Sequence, residues 1–414
     1  MKIMLQNHTF FPILGGIENY LYYVSKTLKK MGHEPTILCE KHDPRLSTFE
    51  TYEGIRIIRH PYYNVPKHLL FKKPTVVSQQ LSCFIADYVE DINLVLSRYP
   101  HYCFATISLD LNIPIFYIPP SVYWKQLNQS SRKLSLKARC FNFAWKKSLN
   151  HIEKMSILKS HKTIVFSQNM AECLRRYYGL KGPPHILPPG VDLPRFSGVR
   201  DSGLLEELQI SQGSRILLYV GRLSPEKNVE RLMREFGLMR RRDVVLLIVG
   251  YGSDRERLEK LKATIEGGER IRFLGPRTDV ERFYSIADVF ISPSRHEPFG
   301  QVILEAMAAG LPCIGFKRVW PEYEVAAEEM IANGVNGYCV DPYDRDELRE
   351  RLLYLIENPD VGKRMGETGR KICEKNFRWD DHVRKLLGLV DQGSDSREGL
   401  EESYGSGGET DVRV

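Results

Sequence analysis

The chain contains 414 residues, of which 42% are hydrophobic and 27% are charged, and this composition is typical of a globular protein with two or three domains. It excludes a largely disordered chain and a small disulfide-rich scaffold. The net charge is +7, and since the last 24 residues hold seven acidic and two basic side chains, the rest of the chain carries about +12. Such an excess favours anionic ligands: sugar nucleotides, phospholipid surfaces or nucleic acid.

No run of about 18 apolar residues occurs, so no membrane-spanning helix is predicted. The chain from Met1 reads as a strand and lacks the apolar region and cleavage site of a secretory signal. The eight cysteines are scattered without a C-x-x-C pair, which argues against a zinc site or a disulfide framework. We therefore expect a protein of the reducing cytoplasm.

Short β-rich segments alternate with longer helical ones, which is the pattern of parallel α/β layers. The early strands are predicted at 2–6, 34–39 and 113–118, with a helix over 15–30. The later strands are predicted at 215–220, 244–249, 270–274, 288–292 and 312–315. Several lack alternating polarity, which indicates strands that are covered on both faces.

A proline-rich linker at 181–197 divides the chain into two halves. We predict two Rossmann-like domains, over 1–187 and 192–378, with a ligand site in the crevice between them. The final segment, 391–414, is rich in Gly, Ser and Glu and is predicted to be disordered.

The segment 219–228, YVGRLSPEKN, places two cations at a strand-to-helix turn. The strand ends at Gly221, and a helix is expected to begin near Pro225. Arg222 and Lys227 then flank a helix amino terminus, where anions bind readily. The alternative is a pair of solvated surface charges.

The segment 292–312, SPSRHEPFGQVILEAMAAGLP, carries two carboxylates at a second such turn. Gly300 is predicted to open a helix whose first backbone N–H groups can hold phosphate oxygens. Glu297 lies in the preceding loop, and Glu305 lies on the helix, where partial burial demands a hydroxyl or cation partner. The alternative is a loop carboxylate and an unrelated carboxylate on the helix surface.

The two segments together, G-R-x4-K and E-P-F-G-x4-E-A-M-A-x-G-x-P, resemble the retaining GT-B glycosyltransferases of glycosyltransferase family 4, also called group 1. The E-x7-E spacing of that family runs from Glu297 to Glu305. Further similarities lie at 15–18 (GGIE), 187–192 (LPPGVD, with Pro189 where the family has Asn), 249–252 and 336–338. The resemblance covers about 1–390 and implies an α/β GT-B fold, in which two Rossmann-like domains face each other across a central cleft.

This resemblance assigns roles to the domains and to the motif residues. Residues 1–187 would bind the acceptor, 192–378 the nucleotide sugar, and a helix at 379–390 would cross back to the amino-terminal domain. Arg222 and Lys227 would neutralise the donor diphosphate, and Glu297 would hold the transferred sugar; these three are the predicted catalytic residues. The predicted donor-binding residues are Gly16, Arg222, Lys227, Arg277, Glu297, Phe299, Gly300, Gln301, Val302 and Glu305.

No metal site or cofactor is predicted. The D-x-D match at Asp344 and Asp346 reads as a helix cap. The resemblance therefore implies metal-independent transfer with retention, in which the departing phosphate accepts the acceptor proton. By family frequency it favours a UDP-sugar donor over GDP- and ADP-sugars. Many relatives also carry a histidine near the reacting sugar, where this chain has Pro119 or Pro120; His8 and His101 are nearby candidates.

A basic aromatic stretch over 123–162 has ten Lys and Arg and one acid, Glu153. Its apolar residues, from Leu134 to Ile152, form one helical stripe. The stretch is either a helix that packs this stripe on the amino-terminal sheet or a contact with an anionic membrane or a lipid-linked acceptor. No nucleic-acid partner is predicted, because no RNA- or DNA-binding module is visible.

The sequence thus predicts a hexosyltransferase-type enzyme that uses a nucleotide-sugar donor. The acceptor is a carbohydrate, a lipid-linked or cell-envelope glycan, or a small molecule such as a secondary metabolite. The rival interpretations are a GT-B-like sugar-nucleotide epimerase, a phosphorylase and a nonenzymatic sugar-nucleotide-binding regulator. A dehydrogenase fits less well, because the glycines at 250 and 252 lack the third glycine of the dinucleotide motif.

Overall fold

The computed structural model describes residues 1–13, 15–61, 63, 73–122, 136–180 and 182–391. The acidic tail predicted at 391–414 lies outside this range apart from its first residue, as do residues 123–135 of the basic stretch. In the described ranges, no helix combines the length and the apolar character that crossing a membrane requires.

The amino-terminal domain is built on an eight-stranded sheet. The strands are β1 (Lys2–Gln6), β2 (Glu34–Glu40), β3 (Phe49–Tyr52), β4 (Ile55–His60), β5 (Leu94–Ser97), β6 (Ile115–Tyr117), β7 (Lys162–Val165) and β8 (His185–Ile186). Their order across the sheet is β3-β4-β2-β1-β5-β6-β7-β8, and among these described strands only the edge strand β3 pairs in the antiparallel direction. The helices are Gly16–Lys30, Lys73–Ala86, Pro100–Ile107, Leu136–Lys159 and Gln168–Tyr178.

The strands of the carboxy-terminal domain are β9 (Arg215–Val220), β10 (Val244–Val249), β11 (Ile271–Gly275), β12 (Val289–Ser292), β13 (His296–Glu297), β14 (Cys313–Phe316), β15 (Glu324–Val325) and β16 (Gly337–Val340). Six of them form a parallel sheet with the order β11-β10-β9-β12-β14-β16, and β13 and β15 form a separate pair. Its α-helices are Ser202–Glu207, Val229–Leu238, Arg255–Lys262, Val280–Ile286, Gln301–Ala308, Glu347–Glu357 and Pro359–Asn376.

Each sheet is covered on both faces by helices. In β10, all six residues of the run VVLLIV are buried, and successive side chains join the two hydrophobic clusters on opposite faces of the sheet. Because water reaches neither face, the strand has no need of alternating polarity. The predicted α/β class, with two Rossmann-like domains, is confirmed.

One local prediction was wrong. The helix expected near Pro225 is a short 3-10 turn, Pro225–Lys227, and the α-helix begins at Val229 because Asn228 adopts a left-handed conformation (φ 54°) between them. The predicted linker, 181–197, contains the short strand β8, which pairs with β7. The remaining predicted strands lie within two residues of their observed bounds.

The chain crosses from the first domain to the second just before Val191 and returns to the first domain just after Phe377. The two crossings are adjacent, because the Val191 N–H donates to the Phe377 carbonyl at 2.9 Å. The final helix, Trp379–Gly388, then packs on the amino-terminal domain, where Val383 and Leu386 are fully buried. The last residues of the fold therefore belong to the core of the first domain.

Candidate active site between the domains

A cleft of about 460 Å³ lies between the two domains, at the carboxyl ends of their parallel strands. From the amino-terminal domain, it is lined by residues after β1, β5, β6 and β7 and by the start of the helix Gly16–Lys30. From the carboxy-terminal domain, it is lined by the turn after β9 and by the loop and helix that follow β12. The cleft therefore collects both sequence segments that carry candidate charged residues.

Lys227 and Glu297 meet in the cleft. The Lys227 Nζ lies 2.5 Å from the Glu297 Oε2, and their side chains are only 14% and 15% exposed. The structure thus brings together two residues that are 70 positions apart. Partial exclusion of water strengthens any electrostatic interaction that either group makes with a ligand.

The helix Gln301–Ala308 begins at the cleft, and Gly300 precedes it with φ 100°. A Cβ on Gly300 would lie 3.0 Å from Ile303 and 3.4 Å from Glu297, so glycine suits both the backbone conformation and the space. The Gln301 side chain donates to the Gly190 carbonyl at 3.0 Å. The first N–H groups of the helix have no partner within it and can bind an anion.

Glu305 lines the cleft one turn further into this helix. The sequence predicted a hydroxyl or cation partner for this carboxyl group, and the structure shows the Tyr284 hydroxyl donating to the Glu305 Oε2 at 3.0 Å. Burial raises the pKa of Glu305 to about 7, although the hydrogen bond from Tyr284 and the charge of Arg195 both act to lower it. A raised pKa favours the neutral carboxyl group near neutral pH, and this group can hydrogen-bond ligand hydroxyls as donor or acceptor.

Arg222 lines the cleft, and its side chain is 66% exposed. The Arg222 Nη2 lies 3.8 Å from the Glu226 Oε1. On the opposite domain, a Cβ added to Gly16 would meet no atom within 4 Å. Gly16 is thus not required for packing, and the space beside it is open to a ligand.

Some sequence-predicted residues lie elsewhere. Arg277 does not line the cleft; its guanidinium pairs with Asp279 at 2.8 Å. Val302 is also absent from the lining, and its carbonyl accepts from the Tyr284 hydroxyl at 3.3 Å. Of the two histidines considered, His8 lines the cleft and His101 does not.

Other predicted features can be placed on the described chain. Pro120 lines the cleft. The Asp344 carboxylate accepts the backbone N–H groups of Asp346 and Glu347, as a residue at a helix start does. In the basic stretch, Leu149 and Ile152 are buried, so the described end of its apolar stripe packs inside the protein.

Sequence reasoning missed several cleft residues. These residues include Glu18, Tyr23, Arg98, Asp192, Arg195 and Trp379. Arg98 directly follows the buried strand β5, and a charged residue at the carboxyl end of a buried strand was a signal that could have found it. Glu18 and Asp192 lie within the 15–18 and 187–192 segments that resemble the family, and this was a signal for both.

One side of the cleft is held by contacts across the domains. The Glu329 carboxylate accepts the backbone N–H groups of Gln168 and Asn169, both at 2.7 Å, at the amino terminus of the helix Gln168–Tyr178. Beside it, the Ser167 hydroxyl donates to the Pro298 carbonyl at 2.5 Å. These bonds fix the loop that carries Glu297 against the amino-terminal domain.

The two facing Rossmann-like domains and the cleft between them define the GT-B fold. The family model for glycosyltransferase family 4 matches residues 14–195, and the model for glycosyl transferases group 1 matches 204–372. The chain belongs to this family, as the sequence motifs predicted.

Characterised relatives align over most of the chain. Mannosylfructose-phosphate synthase of Agrobacterium fabrum is 24% identical over 400 residues, which cover 91% of this chain and 86% of that protein. A GDP-mannose-dependent alpha-mannosyltransferase of Mycobacterium tuberculosis is 27% identical over 319 residues, which cover 76% and 78%.

Solved structures share the fold. Sucrose-phosphate synthase from Thermosynechococcus elongatus superposes with a TM-score of 0.78 at 24% identity, covering 94% of this chain and 98% of that one. HepE of Anabaena in complex with UDP-glucose gives 0.73 at 18% identity, covering 94% and 100%.

Proposed function

We propose that this glycosyltransferase moves a sugar from a UDP-sugar to an acceptor hydroxyl, with retention of anomeric configuration and without a metal ion. The observation that carries the proposal is the Lys227–Glu297 pair, set beside the amino terminus of the helix Gln301–Ala308 in the interdomain cleft. Cleavage of the anomeric C–O bond leaves a nucleoside diphosphate whose negative charge grows in the transition state. Fixed cations and backbone N–H groups stabilise that charge with little reorganisation.

Each donor group has a residue suited to it. The Lys227 ammonium and the Arg222 guanidinium bind the diphosphate, and the N–H groups from Phe299 to Gln301, with Glu297, hold the transferred sugar. Glu305 accepts from the ribose hydroxyls, in the position that its bond to Tyr284 maintains. The acceptor approaches from the amino-terminal domain.

The proposed mechanism retains the anomeric configuration without a protein nucleophile, as the resemblance to the family implies. Each carboxylate described in the lining already has a hydrogen-bond or ionic partner: Glu18 with Thr9, Asp192 with the Arg195 N–H, Glu226 with Ser224, Glu297 with Lys227, and Glu305 with Tyr284. The acceptor then attacks from the face that the diphosphate leaves, and a phosphate oxygen accepts its proton.

A thermal-shift panel of UDP, GDP, ADP and their sugars tests the donor, because a ligand that binds the native state raises Tm. We expect UDP and a UDP-sugar to give the largest shift, and a larger shift with GDP would overturn the donor assignment. The identified donor is then incubated with an acceptor library in EDTA, and the anomeric configuration of the product is read by NMR. An inverted product, or activity that EDTA abolishes and Mn²⁺ restores, contradicts the mechanism; a changed sugar without any acceptor indicates an epimerase.

A further inference from the structure

Arg98 is a buried cation in the cleft that the donor site leaves unused. It follows β5 at the carboxyl end of the strand, where its backbone N–H donates to the Gln6 carbonyl at 2.8 Å. It lines the interdomain cleft, yet it is only 3% exposed. A charged side chain is rarely buried to this degree unless it has a partner.

The surroundings of the Arg98 guanidinium stabilise a cation but do not satisfy its donors. Its central carbon lies 4.5 Å from the centre of the Tyr20 ring and 4.6 Å from that of Phe166, so two aromatic faces contact the charge. Neither face accepts a normal hydrogen bond. The buried Nε and Nη1 atoms have no hydrogen-bond partner in the part of the chain that the structure describes.

No neighbouring titratable group of the described residues supplies a hydrogen-bond acceptor to these two nitrogens, although the charge of Glu18 acts to raise the pKa of Arg98. The nearby Glu18 carboxylate is bonded to the Thr9 hydroxyl, and no ion pair joins Arg98 to any carboxylate of the described residues. His382 is hydrogen-bonded to Tyr20 at 2.9 Å, and burial lowers its pKa to about 4, so it is neutral at physiological pH. Burial lowers the pKa of Arg98 to about 10, which leaves it charged.

A buried guanidinium with open N–H donors is costly to maintain in the free protein. The planar N–H fork of arginine matches the oxygens of a phosphate or carboxylate, and such charge-assisted bonds are among the strongest that a side chain makes. An oxyanion that enters the cleft with a ligand would supply the partner that Arg98 lacks.

We propose that Arg98 binds the phosphate or carboxylate of an anionic acceptor. This inference rests on the proposed function and adds the acceptor class to it. Arg98 belongs to the amino-terminal domain, whereas Arg222 and Lys227, which are assigned to the donor diphosphate, belong to the opposite domain. The oxyanion has two possible sources, the acceptor and the donor diphosphate, and the experiment separates them.

The first arm measures binding of inorganic phosphate by calorimetry and Tm at constant ionic strength, with saturating UDP present to occupy the diphosphate site. We compare wild type, Arg98→Gln, Arg98→Lys and Arg255→Gln. Arg255 is the matched control, since it also lies over an aromatic ring (Phe273, 4.4 Å) but outside the cleft. We expect Arg98→Gln to weaken phosphate binding by at least ~10-fold and Arg255→Gln to leave it unchanged.

The second arm measures the affinity for UDP alone. If Arg98 serves the acceptor, Arg98→Gln binds UDP within about twofold of wild type, and phosphate binds whether or not UDP is present. If phosphate and UDP compete and Arg98→Gln loses affinity for UDP, the oxyanion is the donor diphosphate and the acceptor assignment is wrong. Absence of phosphate binding to wild type, or equal binding by Arg98→Gln, overturns the proposal.

Failure of the proposed function gives a different result. In that case UDP does not bind to wild type, and the phosphate titration without UDP still reports on Arg98. Should Arg98→Gln fail to fold, Arg98→Lys retains the charge but loses the planar fork, and it is expected to weaken phosphate binding in the same direction.

Discussion

Replacing Lys227 by Met tests the electrostatic account most directly, because it removes the ammonium and keeps most of the side-chain length. Lys227 is 14% exposed and lies 2.5 Å from Glu297. At an effective dielectric constant of about 20, opposite unit charges about 4 Å apart interact by about 4 kcal/mol. Loss of one preorganised group that stabilises developing charge typically costs about 3 to 4 kcal/mol. We therefore expect kcat/KM to fall about 100- to 1,000-fold.

The assay is release of nucleoside diphosphate from the donor that the thermal-shift panel identifies, together with the Kd of UDP. Lys260→Met is the matched control: Lys260 also contacts a glutamate, Glu256, at 2.7 Å, but both side chains are largely exposed and lie on a different helix. We expect Lys260→Met to retain wild-type kinetics.

Glu297→Gln separates the two partners of the pair. Because Glu297 is assigned to the transferred sugar, its substitution should lower the rate of transfer while the Kd of UDP changes little. Lys227→Met should lower the rate of transfer and also weaken the binding of UDP. A folded Lys227→Met variant with kcat/KM within threefold of wild type would refute the reasoning, since the cation would then not act on the leaving group.

Three further predictions concern single positions. Gly16→Ala should keep or raise Tm, because its Cβ meets no atom and alanine favours a helix start, yet it should weaken UDP binding by at least ~10-fold if the diphosphate approaches there. Because the pKa of Glu305 is raised in the folded state, the free energy of unfolding should fall as pH rises from 4.5 to about 7, by at most about 3 kcal/mol. Urea denaturation across this pH range should show that Glu305→Gln removes this dependence of stability on pH. The lowered pKa of His382 acts in the opposite sense, so stability is lost as pH falls from 6.5 towards 4, and His382→Asn should reduce that loss in melts at pH 7 and 4.5.

The parts of the fold that the sequence predicted well are continuous apolar runs. The observed bounds of Arg215–Val220 and Val244–Val249 equal the predicted ones, because each run ends at a glycine. Strands such as Leu94–Ser97 were missed, since three apolar residues between polar ones fit a helix or a strand equally well. The start of the helix after Lys227 was misplaced because the left-handed backbone of Asn228 is set by its context.

For the site, motif spacing predicted charged residues of the second domain, of which Arg277 lies outside the cleft, and it did not predict their contacts. The Tyr284 hydroxyl reaches Glu305 from a separate helix, and periodicity does not specify which side chains meet across helices. The contact of Glu329 with Gln168 and Asn169 depends on how the two domains pack, which no local pattern encodes.

The double passage of the chain between the domains constrains how the protein can open. A single peptide would let one domain swivel freely, but two adjacent passages, joined by the Val191–Phe377 hydrogen bond, favour swinging about one pivot. Gln301 is bonded to Gly190 at that pivot, so the start of the helix Gln301–Ala308 should scarcely move when the domains part. The cleft would then widen by rotation of one domain about this point, while the N–H groups at the start of that helix keep their place.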